Sequence, residues 1–444
     1  MKSQDHIPQT SLGRMAALAG AGAQVGVNYL KHYGKRAVGA ASTEDELHEA
    51  NAATVYQTFS ELKGGPLKVA QMLSIDRNIL PEAYSQQFAA AQYSAPPLSY
   101  PLVVRTFQKE LGRQPLEVFD EFSREAKHGA SIGQVHQARK GQQIYAVKVQ
   151  YPGVAESVKS DLRVVKPVAL RLFGLKEEDV AEYFQEVETR LLEETDYELE
   201  LQRSVELSEA CADVPNVSFT RYYEELSTRR ILTMDWIDGV PLDKFADGPA
   251  TQEERDRIGQ ALWDFYHRQV HELLYFHADP HPGNFLVAND RLYVIDFGCA
   301  KKLDPVIYRK QFRLLDPHLG EDMAALEAAL VELNVLLPRD NKEDRALLMQ
   351  LISQSIRLLA RPFQDDVFDF GDPRFMGDIY ELGEANRDNP RLKAMRGPRG
   401  SAETLYVNRA YFGLYALLSR LRARVRISRP AFLEEQSAIT EAVA

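Results

Sequence analysis

Apolar residues recur at helical spacing over much of the chain. Between residues 44 and 95 this periodicity predicts a helix that breaks at Gly64-Gly65-Pro66, because glycine and proline disrupt the hydrogen-bonded turn. Four prolines and several glycines predict a long surface loop or insertion over residues 362–401. Further helices are predicted over residues 102–122, 154–211, 252–276, 305–360 and 403–426.

The strand signals are concentrated in the middle of the chain. Residues 128–138 and 144–150 flank a glycine-containing turn, which is typical of a β-hairpin. Strands are also predicted at 217–223 and 230–236, and a short pair of strands around 285–295. This order predicts a helical section (1–125), a small strand-rich lobe (126–237) and a large helical lobe (238–444), with a cleft between the two lobes.

Composition excludes several classes of protein. The 444 residues are 45% hydrophobic and carry a formal net charge of -11, which argues against non-specific nucleic-acid binding. Cys211 and Cys299 are the only cysteines, too few for a disulfide framework or a cysteine-rich zinc site. The apolar stretch Met15 to Val27 is too short to span a bilayer. We therefore expect a soluble cytoplasmic protein, with peripheral membrane contact left open and the oligomeric state undetermined.

The strongest chemical signal combines Asp279, Asn284 and the Asp296-Phe297-Gly298 triplet. An aspartate five positions before an asparagine, with Asp-Phe-Gly about a dozen residues later, is the spacing of a kinase catalytic loop and metal-binding loop. Asn284 and Asp296 supply the hard oxygen atoms that Mg²⁺ prefers. Asp279 stands where it can accept a proton from an attacking hydroxyl or position a water.

Two histidines, His277 and His281, flank Asp279. We interpret His277 as a packing residue, and we do not assign His281 as a metal ligand.

Lys148 lies within the predicted strand 144–150, where a lysine can reach nucleotide phosphates. Such a lysine needs an acidic partner, and Glu194, Asp196 and Glu200 all follow on a predicted helix. Asp196 and Glu200 share one helical face, but spacing alone does not choose among the three.

A hinge between the lobes is predicted where the strand 230–236 runs into a turn. Backbone groups around Met234 and Trp236 are candidates for contacting an adenine ring.

Several segments together resemble the UbiB/AarF family of atypical protein-kinase-like ATPases. The residues that carry the resemblance are Lys68-Val69-Ala70-Gln71, the segment Ala130 to His136, the segment Val147 to Gly153, Glu194 to Tyr197, Asp279 to Asn284, and Asp296 to Gly298. The resemblance implies an α+β, bilobal protein-kinase-like fold with an N-terminal helical extension packed over the active-site cleft. It further implies ATP and Mg²⁺ as cofactors.

The resemblance also implies roles for individual residues. Glu200 would pair with Lys148, and Ala130 and Ser131 would belong to the nucleotide loop. Lys68 and Gln71 would gate the site near Glu194 and Asp196. The sequence departs from the family pattern at Ala70, where glycine is usual, and at His128-Gly129, where alanines are usual. It also shows no C-terminal transmembrane hairpin.

The resulting expectation is a Mg-ATP-dependent kinase or ATPase linked to ubiquinone or other isoprenoid-lipid metabolism, with an isoprenoid or phenolic lipid as ligand. Two alternatives stay open. One is a conventional protein kinase, which the missing Ala-Pro-Glu element after Asp296 disfavours. The other is a non-catalytic, nucleotide-sensing scaffold of a lipid-biosynthetic complex.

Overall fold

The computed structural model describes residues 20, 23–28, 30–32, 44–62, 98–130, 132–172, 177–316, 319, 322–387, 389–395 and 399–431. The predicted site residues Lys68, Gln71 and Ser131 lie outside these ranges. From residue 44 onward the helices are α1 Glu44–Leu62, α2 Tyr100–Leu111, α3 Pro115–Val118, α4 Val154–Leu172, α5 Glu177–Glu194, α6 Tyr197–Ala210, α7 Leu242–Asp247, α8 Gln252–His267, α9 Pro305–Phe312, α10 Met323–Glu332, α11 Lys342–Leu359, α12 Pro373–Arg387, α13 Pro390–Ala394 and α14 Ala402–Leu421.

The strands, also in chain order, are β1 Glu121–Phe122, β2 His128–Gly129, β3 Gly133–Lys140, β4 Gln143–Gln150, β5 Val217–Phe219, β6 Ile231–Asp235, β7 Val240–Pro241, β8 Tyr275–His277, β9 Phe285–Ala288, β10 Arg291–Val294, β11 Ala300–Lys302, β12 Val367–Asp369 and β13 Arg424–Arg426. The chain forms two compact units, one of residues 1–202 with 221–236 and the other of residues 203–220 with 237–444.

The first unit is built on an antiparallel sheet in the order β1-β3-β4-β6, with β2 also paired to β3. The predicted hairpin is present, and its register runs from Gly133 opposite Gln150 to Lys140 opposite Gln143. Gly141 makes the turn with φ +59, a left-handed conformation that glycine adopts without strain. Helix α2 packs Val103 and Phe107 onto the sheet. The helix predicted over residues 102–122 is instead formed by helices α2 and α3 and strand β1, and all three contribute side chains to the core beside the sheet.

The second unit packs helices α8 and α14 around a large aromatic and aliphatic core. It contains a four-stranded sheet in the order β5-β10-β9-β7 and two small pairs, β8 with β11 and β12 with β13. Helix α8 begins at a capping box in which Thr251 accepts a bond from the Glu254 backbone amide and Glu254 accepts one from the Thr251 amide.

Three sequence predictions about this unit are corrected. The helix predicted over 252–276 is α-helical only to His267. A π-helical segment follows to Leu273, and strand β8 comes next. The helix predicted over 403–426 ends at Leu421, and β13 follows because it pairs with β12. The loop predicted over 362–401 contains β12, α12 and α13. Two of its prolines, Pro373 and Pro390, occupy the first turns of helices, where proline is well tolerated.

Among the described residues, no helix is both long and apolar enough to cross a bilayer.

Candidate functional site

Lys148 lies at the centre of the first unit's sheet. It stands on β4, opposite Val135 of β3 and Leu232 of β6. Its Nζ lies 2.7 Å from Oε1 and 3.0 Å from Oε2 of Glu200, and the two side chains are only 11% and 4% exposed. A charged pair so shielded from water interacts much more strongly than a surface pair.

Glu200 lies on α6, and hydrogen bonds at the N-terminus of α6 hold this helix against the sheet. Asp196 precedes α6 and its Oδ1 accepts a bond from the backbone amide of Leu199, as a helix cap does. Gln150, at the end of β4, donates to the carbonyl of Thr195. Asp196 also lies 3.3 Å from Arg229. Of the three acids considered from sequence, Glu200 is thus bonded to Lys148, whereas Asp196 caps the helix.

Tyr197 lies beneath the ion pair. Its ring centre is 5.0 Å from Lys148 Nζ, a favourable cation–π distance. Gly133 makes room for it, because a Cβ at that position would lie 2.6 Å from the Tyr197 hydroxyl and 2.6 Å from the Val149 carbonyl oxygen. Glycine at position 133 therefore allows the Tyr197 side chain to pack against the sheet beside Lys148.

Two other residues of that segment have structural roles. Gln134 accepts a bond from the Leu98 amide at 2.7 Å and contacts His136 Nε2 at 2.8 Å, while His136 Nδ1 lies 2.7 Å from the Ser123 carbonyl. Burial lowers the pKa of His136, which favours a neutral ring that donates from Nδ1. Together they anchor the chain before α2 to the sheet.

The predicted hinge residues differ in their environments. Met234 is buried in a cluster with Leu98 and Ile132. Trp236 is partly exposed and its ring stacks on His128, with centroids 5.8 Å apart and planes inclined by 25°. Ala130 closes a tight turn by donating its amide to the Gly133 carbonyl. His128, a departure from the family pattern, thus provides an aromatic surface beside Trp236.

In the second unit, the segment from Asp279 to Asn284 forms a tightly bonded loop between β8 and β9. The Asp279 carbonyl accepts bonds from the His281 amide at 2.6 Å and from the Asn284 side-chain nitrogen at 2.9 Å. His281 Nδ1 accepts from the Gly283 amide, so this histidine stabilises the turn. These bonds assign the Asn284 amide nitrogen as donor and Oδ1 as the atom suited to a cation.

Asp296 is placed next to this loop by the backbone. The amide of Ile295 donates to the Asn284 carbonyl at 3.1 Å, and the Gly298 amide donates to Asp296 Oδ1 at 2.8 Å. Phe297 is fully buried, with its ring 5.9 Å from that of His277. His277 is itself buried, consistent with a packing role.

Sequence reasoning missed Arg409, which lies on α14. Its Nη2 donates to Asp279 Oδ1 at 2.6 Å. Nothing in the sequence singled it out, because it is 130 residues away from Asp279 and is one of several arginines near the same helix.

The Asp296 carboxylate and the Asn284 side-chain oxygen are the types of ligand found in a kinase magnesium site. Such a site takes one carboxylate and one amide from the protein and completes its octahedron with phosphate oxygens and water. Asp296 and Asn284 would supply that carboxylate and that amide. Within the described residues, no group of three or more His, Cys, Asp or Glu side chains is arranged to hold a metal without a nucleotide.

A family model, the ABC1 atypical kinase-like domain, matches residues 90–329. A chloroplastic aarF domain-containing protein kinase of Arabidopsis thaliana, At1g71810, is 30% identical over 80% of the chain. The probable serine/threonine-protein kinase abkA of Dictyostelium discoideum is 26% identical over 96% of the chain and 79% of its own length. Atypical kinase COQ8B, mitochondrial, of Rattus norvegicus is 30% identical over 66% of the chain and 57% of its own length.

The chain spans half the length of the Arabidopsis relative. Among solved structures, the Rv3197–erythromycin complex from Mycobacterium tuberculosis superposes with a TM-score of 0.60 at 27% identity. That likeness covers 88% of this chain and 97% of the other.

Proposed function

The chain belongs to the ABC1 atypical kinase-like family, and on that premise we propose that it is a Mg-ATP-dependent atypical kinase or ATPase. The observation that carries the proposal is the buried ion pair between Lys148 and Glu200. Burying two charges is costly, so a pair without a task is readily replaced by apolar side chains. A lysine on a central strand, bonded to a helix glutamate, is the arrangement with which kinases hold nucleotide phosphates.

The remaining roles follow from the donor chemistry of each side chain. Asn284 and Asp296 would hold Mg²⁺, which neutralises charge on the phosphates. Asp279 would orient or deprotonate the attacking hydroxyl or water, a contribution of about 10²–10⁴ in rate. Ala130 and Ser131 would contact the phosphates, while Met234 and Trp236 would border the base. Lys68 and Gln71, with Glu194 and Asp196, would gate access to the site.

We further propose an isoprenoid or phenolic lipid as the molecule acted on or sensed, in ubiquinone or related lipid metabolism. Two findings support a lipophilic ligand. The sequence resembles the UbiB/AarF kinases, and the structural neighbour Rv3197 is described in complex with erythromycin, a large lipophilic molecule.

Phosphate release from Mg-ATP tests the enzymatic proposal. The parent should turn over, and Asp296→Asn should lose nearly all activity because the metal would lose the Asp296 carboxylate as a ligand. The matched control is Asp365→Asn, an identical change at an exposed residue of the same unit. Anionic liposomes containing a quinone should raise turnover if the lipid part of the proposal is right.

Two outcomes would contradict the proposal. If parent and Asp296→Asn bind nucleotide equally and neither hydrolyses it, the protein is a nucleotide-sensing scaffold. If the parent instead phosphorylates generic protein acceptors efficiently, it is a conventional protein kinase.

A further inference from the structure

One face of α14 contacts the loop that carries Asp279 and the strand β11 beside it. The contacting residues are Tyr406, Arg409 and Gly413, spaced three and four apart, so they lie on one side of the helix. All of these contacts lie within the second unit. They link α14 to a loop and a strand more than 100 residues earlier in the chain.

Arg409 makes the electrostatic contact. Its guanidinium donates to Asp279 Oδ1 at 2.6 Å, and the two side chains are 25% and 27% exposed. The loop residues between Asp279 and Asn284 are Pro-His-Pro-Gly and include no lysine or arginine. Arg409 therefore brings a cation to Asp279 from a distant helix, whereas the loop itself carries none.

Gly413 makes the steric contact. A Cβ built on it would lie 2.1 Å from Cγ and 3.0 Å from Cβ of Pro280, the residue after Asp279. A proline ring cannot rotate away as a flexible side chain would, so the helix backbone touches the loop only because residue 413 is glycine.

Tyr406 contacts the strand beside the loop. Its ring lies 5.0 Å from Lys301 Nζ, and Lys301 belongs to β11, which pairs with β8 immediately before the loop. The helix thus touches Asp279, the residue after it, and the neighbouring strand.

We propose that α14 positions the catalytic loop, with Arg409 as the positioning residue for the Asp279 carboxylate. The bond to Oδ1 restricts rotation of the carboxylate, and the contact of Gly413 with Pro280 fixes the backbone that bears it. This inference rests on the proposed function of Asp279. It assigns to a C-terminal helix, beyond the matched family domain, a part in the reaction.

The test compares Arg409→Gln with Arg409→Lys and Arg420→Gln. Arg420 is on the same helix and donates from Nε and Nη2 to the Asp247 carboxylate, so it controls for loss of any α14 ion pair. Arg409→Gln should lower kcat by about 10–100-fold, the cost of a displaced catalytic group, with KM for ATP changed less than about twofold. Arg409→Lys should recover part of kcat, and Arg420→Gln should match the parent.

Chemical rescue separates positioning from mere folding. Ethylguanidinium should raise kcat of Arg409→Ala, because it can replace the missing donor, and should leave Asp296→Asn unchanged. Gly413→Ala should also lower kcat, and Pro280→Gly in the same chain should restore part of it by removing the ring. A parental kcat for Arg409→Gln, or absence of rescue in a folded Arg409→Ala, would overturn the inference.

A measurement without turnover keeps the two proposals distinct. The melting-temperature losses of Arg409→Gln and Asp279→Ala should not add in the double variant, since both remove one contact. Non-additive losses in a parent that hydrolyses no ATP would refute the proposed function while supporting the coupling. Additive losses would overturn the inference whether or not the parent turns over ATP.

Discussion

Replacing one member of the Lys148–Glu200 pair should destabilise the protein far more than replacing both. Lys148→Met would leave the Glu200 carboxylate charged and 4% exposed. An uncompensated charge at such a site costs about 3–5 kcal/mol. Replacing both, as in Lys148→Met with Glu200→Leu, removes the desolvation cost along with the attraction and should be within about 1 kcal/mol of the parent or more stable.

Urea unfolding followed by far-ultraviolet circular dichroism measures these free energies. Lys166→Met is the matched control, because Lys166 pairs with the exposed Glu177 and the loss should be much smaller. Both chains that carry Lys148→Met should lack ATP hydrolysis, although the double variant is as stable as the parent. The double variant would then show that Lys148 is required for ATP hydrolysis but not for stability.

A specific result would refute this reasoning. If the free-energy losses of Lys148→Met and Glu200→Leu simply add in the double variant, the pair is not electrostatically coupled. If the double variant still hydrolyses ATP at the parental rate, Lys148 has no part in binding phosphate.

Two other predictions concern packing and pH. Gly133→Ala should lower the free energy of unfolding by about 1–3 kcal/mol, because the new Cβ meets Tyr197 and backbone at 2.6 Å; urea unfolding measures it. His271 is enclosed by aromatic rings and contacts the hydroxyls of Tyr308 and Tyr411, and burial holds its pKa well below the ordinary value. The unfolded chain binds its proton first, so stability should fall as pH drops below about 6.5, by up to about 1.4 kcal/mol per pH unit.

Each of these has its own control. Gly129→Ala adds the same methyl group where nothing lies within 4 Å, so it should cost little; an equal loss for both glycines would argue against the contact with Tyr197. For the histidine, melting temperatures at pH 7.5, 6.5 and 5.5 are compared between the parent and His271→Gln. Identical pH dependence in the two proteins would show that His271 does not titrate as described.

The local motifs are readable from the sequence because their geometry is local. The hairpin register follows from a two-residue turn between two strands, so the residue pattern alone puts Lys148 on a strand of that hairpin. Asp279, Asn284 and Asp296 likewise lie within 18 consecutive residues. The segment 362–401 marks the limit of such reasoning. Proline signals a helix start as well as a loop, and the packing of the whole unit decides between them.

By itself the sequence indicated the family to which the chain belongs and the local secondary structure around each motif. Spacing left three acids open as partners of Lys148 and the family resemblance implied Glu200; the tertiary structure brings Glu200 to Lys148 across 52 residues of sequence. It also brought Arg409 to Asp279 and turned the end of the predicted helix 252–276 into strand β8, which pairs with β11. Contacts between distant residues depend on how whole elements bury their apolar faces, and that information is not present in the spacing of any single segment.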